Sequence, residues 1–318
     1  MRRLVARAPT RLDFGGGWTD VPPYSDIEGG YVCNIAIARY ASVELATPGH
    51  ADRNEPPFVA AVRRRTDLAD VAVRLTSDFP VGSGLGGSSA AGVGLIGAAD
   101  AWRGIESERS EMAERSRAIE IEDLGIAGGR QDHYAAAYGG ALGLTFEANH
   151  TGVDPLPLPS TFVSALERRC VVVYTGQSRI SGDTITAVLD AYRTRDIRVL
   201  TALQRMKELA RDMAAAVRSA DLDALGRLVG EHWRHQRSLH PAIPTPLIDA
   251  ILTRASDLGA LGGKALGASG GGCVLVVATE DNHERIRREL ATMAEPLTFA
   301  VDSSGFRVVS DTPTTVNA

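Results

Sequence analysis

Residues 80–91 read Pro-Val-Gly-Ser-Gly-Leu-Gly-Gly-Ser-Ser-Ala-Ala. Four glycines, Gly82, Gly84, Gly86 and Gly87, fall within six positions, so the backbone can take positive φ and approach a ligand without Cβ obstruction. A small-residue helix is predicted to follow from Ser88 to Trp102, with Ser88 and Ser89 placed to cap it. Free N–H groups at a helix start, with the helix dipole, make an anion site suited to polyphosphate. The plainer alternative is a tight strand-to-helix turn, which does not call for glycine this dense.

Two common phosphate loops fit poorly. Gly82-x-Gly84-x-x-Gly87 formally matches the dinucleotide fingerprint, which follows a strand directly and is answered about 20 residues on by an acid ending the next strand. Here Thr76 to Pro80 intervenes, and Asp100 falls inside the predicted helix. A Walker A loop needs Gly-Lys-Ser/Thr, but Gly263-Lys264 is followed by Ala265. The hydroxyls of Ser88 and Ser89 can serve the Mg²⁺ role of Ser/Thr at other nucleotide sites, which points to a kinase-type loop of another class.

The chain around this loop has 318 residues, 33 of them glycine, above the usual share of about 7%. With 44% hydrophobic and 23% charged residues it can bury a sizeable core. Net charge is −5, from 34 Lys+Arg against 39 Asp+Glu, so nucleic-acid binding by phosphate neutralisation is not expected. Arg63-Arg64-Arg65 and Arg287-Arg288 have acids close by and read as solvated surface. Cys33, Cys170 and Cys273 are widely spaced, and two of them open apolar runs. They read as buried thiols of a reducing cytoplasm. The N-terminus lacks the apolar stretch of a signal peptide, and no run spans a membrane.

Strands are predicted at Leu4 to Phe14, Tyr31 to Leu45, Val71 to Leu75, Arg169 to Tyr174 and Gly272 to Thr279. Helices are predicted at Glu106 to Leu124, Ile197 to Leu239 (one or two), Pro246 to Leu261 and Asn282 to Ala294. The Pro-rich break Asp154 to Ser160 sets a domain boundary, giving domains 1–158 and 159–318. Without a strict βαβ rhythm, the class is α+β.

Two further segments match the central loop: Ala8-Pro-Thr-Arg11-Leu-Asp-Phe-Gly15-Gly-Gly17-Trp-Thr-Asp20, and Gly263-Lys-Ala-Leu-Gly267-Ala-Ser-Gly270-Gly-Gly-Cys273. The order PxR…GGGxTD, PxGxGLGGSSAA, GASGGG resembles the GHMP kinase superfamily over the whole chain. Glu120 to Gly140, with Gly-Gly-Arg130-Gln-Asp132-His-Tyr-Ala-Ala-Ala-Tyr-Gly-Gly140, looks like the corresponding stretch of D-glycero-D-manno-heptose 7-phosphate kinases. Tyr174-Thr-Gly-Gln-Ser-Arg179 and Leu239 to Asp249 are similar to further segments of theirs. The resemblance implies a ribosomal-protein-S5-like N-terminal domain, a ferredoxin-like α+β C-terminal domain, ATP and Mg²⁺.

On that resemblance Asp132 is the candidate general base, where the residues alone also allow an acid stabilising a helix N-terminus. Arg11 matches the arginine beside the base, which lowers its pKa and eases charge on the γ-phosphate. Pro80, Gly82, Ser83, Gly84, Leu85, Gly86, Gly87, Ser88 and Ser89 would hold ATP. Ser88 with Glu122 would hold Mg²⁺. Glu120, two residues away, points elsewhere on a helix, so only one of the two glutamates can face the site. Asp20 would accept from sugar hydroxyls, while Gly176 and Arg179 would contact substrate, Arg179 as a partner for a sugar phosphate. His232, His235 and His240 lack a third ligand at metal spacing and read as surface residues, and Trp102 and Trp233 as core or packing residues.

Several departures from the family pattern fall where sugar should bind. Gly87 replaces a frequent serine, Ser269 interrupts the third glycine run, and His133 and His240 replace glutamine and serine. Gly17-Trp-Thr-Asp-Val-Pro-Pro resembles fucokinases more than heptose kinases. The expected activity is ATP-dependent phosphorylation of a sugar's anomeric hydroxyl by a cytoplasmic monomer or homodimer. D-glycero-D-manno-heptose 7-phosphate is the first candidate substrate and a free sugar of fucose or galactose type the alternative. An NAD-dependent oxidoreductase and a non-catalytic sensor on the same fold remain open.

Overall fold

The computed structural model describes residues 2–47, 55–68, 70–126, 128–177 and 182–312. From the N-terminus run β1 (Arg3–Gly15), α1 (Tyr24–Ile27), β2 (Gly30–Ala46), α2 (Pro57–Arg65), β3 (Ala72–Ser77), α3 (Gly87–Arg103) and α4 (Arg109–Ala118). A π-helical turn (Ile119–Asp123), α5 (Gln131–Tyr138), β4 (Ala141–Glu147) and β5 (His150–Leu156) follow. Then come α6 (Ser160–Arg169), β6 (Cys170–Tyr174), α7 (Gly182–Arg193), α8 (Ile197–Arg218), α9 (Leu222–Gln236) and α10 (Pro246–Asp257). The last elements are β7 (Gly262–Ala265), β8 (Cys273–Val277), α11 (His283–Leu290), β9 (Glu295–Pro296) and β10 (Arg307–Thr312).

Two antiparallel sheets carry the architecture, in the order β10-β1-β2-β4-β5 with β3 also on β2, and β7-β8-β6-β9. The long β2 serves both neighbours, pairing β4 through Gly30–Ile35 and β3 through Ala41–Ala46. On β1, Leu4, Ala6 and Ala8 pack beneath helices α2–α5. The pairing of β1 with β2 shifts register between Pro9 and Thr10, the kind of irregularity that re-aims side chains. Beyond it, Leu12 and Phe14 pack with Met213 of α8, Val229 of α9 and Leu275 of β8, so one core is shared between the two sheets. Arg11 and Asp13, on the alternate positions, are left to face the cleft between them.

The α+β class agrees with expectation, with differences in detail. The helix expected over Glu106 to Leu124 is α4 followed by the wider π-helical turn. Ser88 and Ser89 do not cap α3: its N-cap is Gly86, at φ 77° and without a side-chain cap bond. The Pro-rich break still carries strand, because Pro155 pairs Leu142 from the sheet-edge strand β5, where a missing N–H is tolerated. Nor does the second half stay apart: β10 returns to β1 in the first sheet, so a cut at 158/159 separates β10 from its partner. Cys33, Cys170 and Cys273 are free and buried, and burial pushes the Cys170 and Cys273 thiols up to about 12.

Candidate active site

Arg11 is buried, and its guanidinium forks onto the carboxylate of Asp132, with Nε donating to Oδ1 at 2.7 Å and Nη2 to Oδ2 at 2.9 Å. Nη1 donates to the Gly84 carbonyl at 2.6 Å, and the Arg11 backbone N–H to the Leu85 carbonyl at 3.0 Å. Asp132 stands in the first turn of α5. Burial raises its carboxyl and Arg11 opposes the rise, leaving it above the ordinary aspartate value. Gly86 passes directly over it: a Cβ there would lie 3.0 Å from the Asp132 carboxyl.

The glycine loop is the turn that delivers α3 to this pair. Gly82, Gly84 and Gly86 all take positive φ. The first-turn N–H groups of α3 have no side-chain cap, which leaves donors for an anion. Not every loop residue faces that anion. Ser83 and Leu85 are buried, and the Ser83 carbonyl accepts from Cys273 N–H at 2.7 Å, tying the loop to the third glycine run. Ser89 is buried too, its Oγ 3.3 Å from His133 Nε2. Gly87 has a packing reason, since a Cβ there would meet the Phe79 ring at 2.3 Å.

Of the two acids weighed for Mg²⁺, the structure brings in Glu120 and turns Glu122 away. Ser88 Oγ donates to Glu120 Oε1 at 2.8 Å, and His133 Nε2 lies 2.9 Å from Glu120 Oε2. Burial raises the Glu120 carboxyl, but His133 and Ser88 outweigh it and hold it below its ordinary value. Glu122 is exposed and accepts from Arg65 Nη2 at 2.8 Å. A straight α-helix cannot decide this; the π-helical turn sets which glutamate points inward. No cluster of three or more His, Cys, Asp or Glu side chains suited to a metal occurs among the described residues. One carboxylate and one hydroxyl nonetheless suit Mg²⁺, which is held by few protein groups plus phosphate oxygens and water.

The cleft beside Asp132 is lined by Arg11, Asp13, Trp18, Asp20, Gln131 and Ile185, among others. Asp20 is buried, with Oδ2 accepting from Gln131 N–H at 3.1 Å. Its approach depends on Gly129, where a Cβ would lie 1.9 Å from Oδ2. Burial, with Asp132 and Asp13 nearby, pushes its carboxyl up to about 6. Trp18 sits at φ 79°, an outlying conformation for so bulky a residue and a mark of strain at the cleft. Gly176 is exposed at φ 71° and is not among the described residues that line the cleft. Arg179 lies outside the described residues.

Three groups escaped the sequence reading. Asp13 is buried; its Oδ2 accepts from the fully buried Lys264 Nζ at 2.8 Å, while Oδ1 has no partner among the described residues. Its signal was available, two residues after Arg11 on one strand face. Lys264, noted only as a failed Walker lysine, joins β7 to β1; burial lowers its pKa and Asp13 opposes that. His232, expected at the surface, is fully buried, and its Nε2 accepts from Gly16 N–H at 2.8 Å. Burial holds it well below the ordinary value, so it is a neutral acceptor fixing the Gly15–Gly17 loop.

An arginine-braced carboxylate against an uncapped, glycine-led helix start, between two α+β halves, defines a small-molecule phosphotransferase. The pattern described as the GHMP kinases N terminal domain matches residues 57–140, and that of the GHMP kinases C terminal domain residues 213–295. The chain belongs to the GHMP kinase family. It is 30% identical over 304 residues to D-glycero-alpha-D-manno-heptose 7-phosphate kinase of Campylobacter jejuni, covering 86% of this chain and 88% of that one. It is 27% identical to the bifunctional fucokinase/GDP-fucose pyrophosphorylase of Arabidopsis thaliana over 92% of this chain, which spans 32% of that protein. A D-glycero-D-manno-heptose 1-phosphate kinase structure from Bacteroides thetaiotaomicron superposes with TM-score 0.77 at 26% identity, over 98% of this chain and 99% of that one. The chain is thus a sugar kinase, and ATP is the phosphoryl donor of its family. Among the described residues, no helix is long and apolar enough to cross a membrane.

Proposed function

We propose that this kinase transfers the γ-phosphoryl of ATP to the anomeric hydroxyl of a sugar, with Asp132 taking the hydroxyl proton. The observation that carries the reading is the Arg11–Asp132 fork beneath Gly86, which sets a base at the anion-binding helix start. Arg11 holds the carboxylate in place and lends positive charge where the transferred group gains negative charge. The triphosphate would rest on the 80–89 loop and the first turn of α3. Glu120 and Ser88 would hold Mg²⁺, which when bound neutralises charge on the β- and γ-oxygens.

For the acceptor, the 30% identity to a heptose 7-phosphate kinase supports D-glycero-D-manno-heptose 7-phosphate. A second reading, a free sugar, is favoured by the cleft wall itself. Asp13, Asp20 and Asp132 line it, and Arg11, the one cation among the described residues of its wall, is already committed to Asp132. Carboxylates accept from sugar hydroxyls and repel a second phosphate. A panel of free sugars and their terminal phosphates, incubated with Mg·ATP and read by ADP release with product NMR, tests both. Turnover of the heptose 7-phosphate alone supports the first, and turnover of free hexoses alone the second. Formation of a product phosphorylated elsewhere than C1 contradicts the anomeric assignment.

A further inference from the structure

A second cavity lies away from the acceptor cleft, between α9, α10 and the start of β7. Its wall includes Arg227, Glu231, Trp233 and Arg234 of α9, Leu252 of α10, and Gly262 before Lys264. Arg227 and Arg234 are seven residues apart, two helical turns and about 10 Å along one face. Both are exposed, and neither has a hydrogen bond or ion pair within the described residues. Glu231, between them, is already engaged, accepting from Arg205 Nη2 at 2.9 Å. The wall therefore presents two uncommitted guanidiniums and one neutralised carboxylate. Trp233 is 5% exposed, and its indole N–H is buried without a partner among the described residues, an uncommon state for a group that ordinarily finds one.

The position of the cavity matters as much as its charge. α9 turns Arg227 and Arg234 to it, while the same helix holds the Gly16 N–H through His232 and the Gly267 carbonyl through Gln236. β7 offers it Gly262 and Gly263, and one residue later Lys264 grips Asp13. The cavity thus backs onto the two elements that hold the acceptor cleft from behind.

We propose that this cavity is a second ligand site, taking a small organic phosphate through Arg227 and Arg234, with its carbon skeleton against Trp233 and Leu252. Guanidinium forks suit phosphate oxygens, and two of them at this spacing suit a molecule carrying an anionic group at each end. The site is independent of which sugar is phosphorylated.

The test titrates the full chain with fructose 1,6-bisphosphate and with inorganic phosphate, following heat and indole fluorescence. The expected result is saturable binding of the bisphosphate, at least about tenfold weaker in the Arg227→Ala/Arg234→Ala variant. That variant should keep normal ADP release with the acceptor sugar, which shows that it is folded. Trp233→Phe should bind with the fluorescence response diminished. Binding unchanged in the double-arginine variant would place the ligand elsewhere, at the ATP loop for example, and overturn the proposal. So would an absence of saturable binding at millimolar concentration.

Discussion

Glu120 and Glu122 are two residues apart and of one chemistry, yet one contacts Ser88 and the other contacts Arg65 at the surface. Replacing Glu120 by Gln is expected to reduce kcat/KM for Mg·ATP by about 10–100-fold, while Glu122→Gln stays within about twofold. Steady-state kinetics at varied Mg²⁺ checks this, and equal losses in the two variants would refute the assignment. Asp20 supplies a pH test. Its carboxyl is raised from 3.8 to about 6, so folding favours the protonated form. Stability from this group is full at acidic pH and declines as pH rises through the window ending near 6. If Asp20 accepts from sugar hydroxyls as a carboxylate, a form that dominates only above that value, KM for the acceptor should climb as pH falls below it. Asp20→Asn should flatten that profile and raise KM. It should also increase stability at neutral pH, by up to about 3 kcal/mol, since one pKa unit is worth about 1.4 kcal/mol. A variant that keeps the wild-type pH profile would show that Asp20 is not the group titrating.

At the scale of elements, β10 is the one whose role is least evident from local pattern. It covers the open edge of β1 from three hundred or more residues away in sequence, and the adjacent Phe306 fills the space beside Gly97 of α3. Deleting residues 307–318 should lower the melting temperature by about 5–10 °C and promote self-association through the bared edge. Light scattering during a thermal melt reads both, and an unchanged transition would mean the strand contributes nothing. The long strands β1 and β2 and the amphipathic α8 and α9 were legible because their periodicity is sustained over many residues. The hairpin β4–β5, the helices α2 and α7, and β10 were not assigned. They are short, proline-bearing or held by distant partners, so little in the local sequence announces them. The site divided in the same way. Arg11, Asp132 and the 80–89 loop stand in contiguous motifs that carry their own turn chemistry. Glu120 depended on a π-helical turn, and Lys264 and His232 on contacts across more than 200 residues.

The two halves are joined by a shared core and by the buried ion pair of Lys264 with Asp13. A buried pair adds little net stability against an apolar replacement, but breaking it leaves an uncompensated charge. Lys264→Met should therefore cost about 3–5 kcal/mol in urea unfolding, and the double change with Asp13→Asn should recover much of that. Strictly additive losses would mean the two side chains do not act as a pair. The same pair fixes one wall of the cleft beside Asp132, the carboxylate on which the proposed transfer depends. Its most direct test is single-turnover phosphoryl transfer by Asp132→Asn, with ATP binding measured on the same sample. The account predicts ATP affinity within a few-fold of wild type and a transfer rate lower by about 10²–10⁴-fold. Transfer at the wild-type rate by a variant that binds ATP normally would contradict it.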